Sequence, residues 1–394
     1  MKRLLAKIYL YRIFSELMLL YPLYNVMFAE RGGLSTFQIS SLLGIWSAII
    51  LVCEIPAGAL ADKYARRNLL GVAQIIRAFG YAIWVFVPTY WGFLAGLALW
   101  GVCRAMTSGT FEALVFDELK AAGKEQTYAK VLGRSESFAL FFSLGSTLLA
   151  APAFVWSGFT GVLWFSVAAT VLSSVVAFTL PVKKRQESAE KSPAYLLIIR
   201  QAAREVRLSP TLLRLIAFGV FAGVLFRIFD EYASLIIKAA GVPTGLIPII
   251  SVAVFLPVIV ADFFAYKLEH LRQIAFMIFI LIAGIAFVVA GKYLGPAGIV
   301  FFAFSMLLIK GSITIFSAKV QHAITGATRA TVTSINSFGV EVAAVVAFFA
   351  YGLAAHAWGT RGALVLYGAI ACAVGLGYIV LTRGKMLRGR ASKV

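Results

Sequence analysis

Residues 54 to 67 read Glu54-Ile55-Pro56-Ala57-Gly58-Ala59-Leu60-Ala61-Asp62-Lys63-Tyr64-Ala65-Arg66-Arg67. This stretch closes a long apolar run and opens a short basic loop. Glu54, Gly58 and Asp62 are spaced i, i+4, i+8, so on a helix they share one face, with a glycine between two acids where another helix could approach closely. Outward from it in both directions the chain is overwhelmingly apolar: 61% of its 394 residues are hydrophobic and 13% charged. A soluble domain of this length does not have that composition.

Segments of roughly twenty apolar residues cross a bilayer as helices. On that measure the sequence predicts twelve spans, near 7–29, 37–60, 69–87, 90–120, 128–155, 158–180, 211–238, 243–266, 272–291, 295–321, 328–355 and 361–382. The formal charge of +19 reflects cations in short loops between spans, so it points to membrane topology and away from nucleic acid. Only Arg31, Lys238, Lys292 and Arg361 fall in the odd-numbered loops, which predicts that both termini are cytoplasmic. Met1-Lys2-Arg3 leads into an apolar stretch without a small-residue cleavage site, and is read as a retained first span. Cys53, Cys103 and Cys372 all sit in apolar stretches, and neither a disulfide framework, a metal site nor a cofactor motif is expected.

The long connection from Pro181 to Pro210 divides the chain into a first six-span bundle at 1–180, a cytoplasmic linker at 181–210, and a second bundle with a basic tail at 211–394. The halves echo one another. Tyr11-Arg12-Ile13-Phe14-Ser15-Glu16 in span 1 matches Phe226-Arg227-Ile228-Phe229-Asp230-Glu231 in span 7, and Gly109 to Asp117 of span 4 faintly matches Gly311 to Lys319 of span 10. Such echoes are what a repeat-built carrier leaves in its sequence.

The opening stretch resembles the signature of the major facilitator superfamily, Gly-x-Leu-Ala-Asp-(Arg/Lys)-x-Gly-(Arg/Lys)-(Arg/Lys), through Gly58, Leu60, Ala61, Asp62, Lys63, Arg66 and Arg67. Ala65 stands where the pattern has its second glycine. Glu54-x-Pro56-x-Gly58, Ser108-Gly109-x-x-Glu112-Ala113-Leu114-x-x-Asp117 and Asp230-Glu231-Tyr232 look like those of a drug/proton antiporter-type bacterial branch. Span 5 departs from that branch, because Gly145 and Pro152 do not reproduce the antiporter run Gly-x-x-x-Gly-Pro-x-x-Gly-Gly. The resemblance implies an all-α fold of two pseudo-symmetric six-helix bundles. It also implies a cytoplasmic gate in which Asp62 rests near span 11 and Arg66 or Arg67 reaches an acid at the inner end of span 4, here Asp117.

Charges inside a bilayer are costly and mark pathways or pairs. Arg12 and Glu16, like Arg227 and Glu231, are one turn apart, and each pair reads equally as a proton- or substrate-handling site or as a structural bridge. Glu16 lies about 14 Å along span 1, close to the midplane. Glu16 and Glu231 are the expected titrating members, with Asp230 and Glu112 next. Arg104 and Lys310, in the middle of spans 4 and 10, either neutralise Glu112 and its neighbours or hold an anion. Tyr21, Tyr24, Asn25 and Tyr232 are placed to touch substrate, Glu54 and Gly58 belong to the gate, and Asp262 and Glu341 remain ambiguous. Arg77 is read as a shallow cation of span 3 that snorkels inward, Arg134 and Glu136 as pairing across the inner gate, and His270, His322 and His356 as loop residues.

The expected activity is secondary active transport, foremost proton-coupled efflux of a small amphipathic or cationic compound, with transport of an organic anion or metabolite as the alternative. A membrane enzyme would need a catalytic constellation, and no His-Glu-x-x-His or nucleotide loop is present. The expected partners are a small-molecule substrate, protons and the lipid bilayer of the plasma (inner) membrane, with the chain acting as a monomer.

Overall fold

The computed structural model describes residues 1–181, 210–264, 271, 273–323 and 329–391. The described residues form α-helices joined by short connections: α1 Lys2–Glu16, α2 Tyr24–Glu30, α3 Thr36–Lys63, α4 Arg66–Phe86, α5 Tyr90–Thr107, α6 Thr110–Ala121, α7 Tyr128–Thr179, α8 Pro210–Ala239, α9 Ile247–Phe264, α10 Gln273–Lys292, α11 Pro296–Ala323 and α12 Arg329–Ala391. In hydrocarbon every backbone polar group needs an internal partner, which is why apolar runs of this length become helices. The ends are set locally. Ser35 and Gln38 form a reciprocal capping box at the start of α3, and the Thr89 hydroxyl accepts from the Gly92 amide at the start of α5. Helices α7 and α12 are kinked at Gly158 and Gly359, whose φ of 61° and 67° suits glycine, so each supplies two of the expected spans.

Seven of the described helices are long and apolar enough to cross a membrane, namely α3, α4, α7, α9, α10, α11 and α12. Expected spans 1, 4 and 7 are not among them, and these carry Arg12 and Glu16, Arg104 and Glu112, and Arg227, Asp230 and Glu231. Two of the three are also broken. Span 1 stops at Glu16 and resumes at Tyr24, with Pro22 between, a residue that cannot donate to a helical ladder. Span 4 stops at Thr107 and restarts at Thr110, with Gly109 left-handed at φ 68°. The expectation of single continuous helices over 7–29 and 90–120 is corrected accordingly.

The chain divides into two compact units. Unit 1 holds Met1–Tyr195 together with Pro243–Val252, and unit 2 holds Leu196–Val242 and Ala253–Val394. In unit 1, Ile8, Tyr11, Leu70, Phe111, Leu114, Val115, Val131 and Ala177 pack together from α1, α4, α6 and α7. A second cluster joins Tyr24, Phe28, Tyr81, Trp84, Phe93 and Trp100. Lipid tails are as apolar as these side chains, so van der Waals fit and not escape from water holds such clusters. Segment Pro243–Val252 joins unit 1 where the Thr244 hydroxyl donates to Glu30 Oε1 at 2.7 Å. In unit 2, Phe229 packs on Phe287, Phe302, Tyr351 and Tyr367, and Tyr232 stacks on Tyr351 at 3.9 Å.

Candidate functional site

In unit 1 the site is built around the end of α1. One turn before that end, Arg12 Nη1 donates to Glu16 Oε1 at 2.8 Å, and Nη2 donates to Glu136 Oε2 of α7 at the same distance. The Phe111 ring lies 5.8 Å from the same guanidinium. One cation therefore grips two carboxylates, each by a charge-assisted hydrogen bond. Glu136 thus turns to Arg12 of its own unit, and the reading of it as a cross-gate partner is corrected.

A second guanidinium supports the break. Arg77 of α4 is 7% exposed, donates through Nη2 to the Ser15 carbonyl at 2.8 Å, and reaches Met18 Sδ through Nη1 at 3.5 Å. The last carbonyls of a helix lack intrahelical donors and carry its negative dipole end, so a cation there satisfies both needs. Arg77 also attracts Glu16. It is a buried cap of α1, not a snorkelling surface cation. Around it, Tyr81 donates to Met18 Sδ at 3.4 Å, Gln74 Nε2 to the Tyr11 hydroxyl at 3.2 Å, and the Leu20 amide to Ser166 Oγ at 3.2 Å.

Unit 2 repeats the motif with a difference. Arg227 Nη1 donates to Glu231 Oε1 at 2.7 Å, while its Nε stands 4.0 Å from Glu341 Oε1 of α12, beyond hydrogen-bond range. The Glu231 side chain is 1% exposed and that of Glu341 20%. Glu341 Oε2 is buried without a hydrogen-bond partner among the described residues. Lys310 of α11 lies 5.3 Å from the Phe226 ring, beside Arg227 in sequence, and Asp230 is half-buried on α8.

The other expected residues fall as follows. Arg104 is exposed in the last turn of α5 and makes no ion pair among the described residues; Glu112, in the first turn of α6, has Oε2 buried without a hydrogen-bond partner among them. No ion pair joins the two, which corrects the neutralisation of Glu112 by Arg104. Tyr24 and Tyr232 are core aromatics, 2% and 0% exposed, and so is the amide side chain of Asn25 at 0%. Tyr21, by contrast, is exposed.

At the basic loop, Arg66 Nη1 donates to Asp117 Oδ2 and to the Ala113 carbonyl, and Arg67 Nη1 donates to the Leu180 carbonyl at 2.9 Å. The turn closes through Tyr64 and Ala65 with φ of −110° and −60°, conformations open to any residue, so the missing motif glycine is not needed. Glu54 is half-buried on α3, and nothing described lies within 4 Å of where a Gly58 Cβ would be. The side chains of Asp62 and Asp262 lie outside the described residues, as do His270 and His322; His356 is exposed.

The sequence reading named Glu136 and Arg77 but did not find their partners, because helical spacing reports neighbours on one helix and not those on another. A signal for Arg77 was present: a cation inside a span with no acid one turn away needs a partner elsewhere.

Membrane-length helices, an arginine–glutamate cluster repeated in two units and a basic loop latched at one helix end describe a polytopic α-helical membrane protein. The description Major Facilitator Superfamily matches residues 13–328, and the chain belongs to that family. An uncharacterized transporter of Buchnera aphidicola subsp. Schizaphis graminum is 27% identical over 38% of this chain and 37% of its own, and a bacillibactin exporter of Bacillus subtilis 25% over 34% of each. The chain thus aligns with little more than a third of these curated relatives. Among solved structures, the nucleoside transporter NupG superposes with a TM-score of 0.75 at 12% identity, covering 96% of this chain and 98% of that one. A bacterial homologue of the human lysosomal transporter Spinster gives 0.78 at 12% identity, covering 98% and 97%. At that identity the likeness is one of fold.

Proposed function

We propose that the protein is a secondary active transporter that uses protons to export a small amphipathic or cationic organic compound by alternating access. The observation that carries this reading is the charge balance inside unit 2. Among the described side chains in the middle stretches of α8, α11 and α12, the acids Asp230, Glu231 and Glu341 lie with the cations Arg227 and Lys310, while Lys238 and Arg361 stand at a helix end and beside the kink. An excess of acid on these stretches is a demand for positive charge, met by a proton or by a cationic group of the cargo. Unit 1 contributes Arg12, Glu16 and Glu112. The latch of Arg66 on Asp117, with Arg67, Asp62, Glu54 and Gly58 nearby in the chain, holds the cytoplasmic side closed. The loop charges support a topology with both termini in the cytoplasm, and this reading takes the chain to act as a monomer in the plasma (inner) membrane. The outward direction draws support from the relative named as a bacillibactin exporter.

A second reading, transport of an organic anion or metabolite, is favoured by Arg104 alone, an exposed guanidinium with no ion pair among the described residues. One experiment separates the two. Cells with and without the protein are compared on a growth-inhibition panel, and compounds that discriminate are followed in proteoliposomes under an imposed pH gradient. Uphill movement of unchanged cationic compounds is expected. Movement of anions only, lost in Arg104→Gln, reverses the ranking, and flux indifferent to the pH gradient ends the proton reading.

A further inference from the structure

The break in span 1 separates two residues that an unbroken helix would hold together. Glu16 and Leu20 are spaced i, i+4 and would share one face of a continuous helix. Yet the Glu16 side chain is 37% exposed and Leu20 is fully buried. Because α1 ends at Glu16, the carboxylate stays open while Met18, Leu19 and Leu20 pack inward.

A helix that stops inside a membrane leaves backbone groups that must find other partners. In a continuous helix the Ser15 carbonyl would accept from the Leu19 amide, and the Glu16 carbonyl from the Leu20 amide. Here side chains stand in. The Ser15 carbonyl accepts from Arg77 Nη2 at 2.8 Å, the Leu20 amide donates to Ser166 Oγ at 3.2 Å, and the Glu16 carbonyl takes the Met18 amide at 2.9 Å in a tight turn. Arg77 also holds the far side of that turn, since Nη1 reaches Met18 Sδ at 3.5 Å and the Tyr81 hydroxyl donates to the same sulfur at 3.4 Å. One guanidinium on α4 therefore grips the chain on either side of Glu16, while the carboxylate keeps its hydrogen bond to Arg12. Burying a guanidinium is costly, and an unbroken α1 would satisfy the Ser15 carbonyl by itself. The arginine has a use here only because the helix is broken.

We infer that Arg77 is a positioning residue of the carrier: by replacing the lost ladder bond at Ser15 it keeps span 1 broken after Glu16, and so presents that carboxylate to a cationic group of the cargo while Leu20 stays in the core. The inference rests on the carrier reading for the cargo and on the break alone for the position. Arg77 acts through Glu16 and does not touch the cargo.

The test uses the full chain in lipid nanodiscs, with Cys53→Ser, Cys103→Ser and Cys372→Ser removing the native thiols and Leu20→Cys supplying one. With Arg77 present the thiol should resist N-ethylmaleimide. In Arg77→Met, of similar length and without a donor, α1 runs on past Glu16 and labelling should quicken about tenfold. In Arg77→Lys, which keeps a cationic donor for the Ser15 carbonyl, the rate should stay within about threefold of the parent. Leu42→Cys, at a fully buried position of α3, controls for general loosening and should stay protected throughout. A Leu20→Cys thiol that stays protected in Arg77→Met overturns the inference, and so does an equal rise at Leu42→Cys, which would make Arg77 a packing residue only. If Arg77→Met does not fold, Arg77→Gln, shorter and uncharged, takes its place with the same expected rise. Ethidium, an amphipathic cation, is the probe for the cargo role. Its affinity, read by fluorescence anisotropy per folded protein, should fall about tenfold in Arg77→Met and recover in Arg77→Lys. Unchanged affinity where the Leu20→Cys thiol has become reactive would overturn the positioning role. A parent that does not bind ethidium would tell against a cationic cargo, while the labelling still decides whether Arg77 holds the break, so the two ideas fail separately.

Discussion

Arg12 holds two carboxylates at hydrogen-bond distance and Arg227 holds one, although both arise from the same repeated aromatic-Arg-Ile-Phe-x-Glu. The surroundings account for the difference. In unit 1 the helix ends immediately after its glutamate, and Arg77 fills the exposed carbonyl end with a second positive charge. In unit 2 the corresponding helix runs unbroken from Pro210 to Ala239 and has no proline where span 1 has Pro22. A repeat copied in sequence has therefore become a cluster whose arginine hydrogen-bonds two carboxylates in one unit and one carboxylate in the other.

The comparison can be broken most directly at Arg77. Arg77→Leu leaves the Ser15 carbonyl without its buried donor and removes a cation that attracts Glu16, so thermal unfolding in detergent should show a loss of about 3 kcal/mol. A change within about 0.5 kcal/mol would mean that the cap is incidental. The next test sets the arginines against each other. Glu231 is 1% exposed and Glu16 37%, so Arg227→Gln should cost about 3 kcal/mol and Arg12→Gln about 1 kcal/mol. The reverse order would show that solvent reaches unit 2 and not unit 1.

Part of this was legible beforehand. The apolar runs placed α4 at 69–87 against the observed Arg66–Phe86, and the family resemblance implied Asp117 as the acid that Arg66 or Arg67 reaches, of which Arg66 makes the contact. Pro22 and Ser108-Gly109 were visible as well, but the length of the apolar run outweighed them, because lipid rewards length and says nothing of continuity. Tyr24 shows another limit. Its place in span 1 was right and its direction was not, since the face it presents was settled by Trp84, Trp100 and Phe28 from helices far away in sequence.

The breaks themselves give a smaller effect. Gly109 sits at φ 68°, so Gly109→Ala should destabilise by about 1 kcal/mol, whereas Gly311→Ala, inside the continuous α11, should be neutral or stabilising by about 0.5 kcal/mol. Equal effects would remove the contrast between spans 4 and 10. The smallest stability change is expected at the latch. Asp117 is half exposed in its pair with Arg66, so Asp117→Asn should alter unfolding by under about 1 kcal/mol. It should nevertheless raise thiol labelling of a cysteine placed at Ala113, whose carbonyl shares the same guanidinium. Unchanged labelling would reduce the pair to an ordinary surface contact.

The lodging of Pro243–Val252 in unit 1 bears on how this polypeptide could be divided. A cut in the connection between Leu180 and Pro210 follows the boundary a gene duplication would leave, yet it yields a first fragment lacking the residues that meet Glu30. Expressed alone, that fragment should be degraded or aggregate more readily than when the second is made beside it, and adding Pro243–Val252 as a separate peptide should slow its loss. The ancestral seam in the gene and the seam along which the chain comes apart are then two different places.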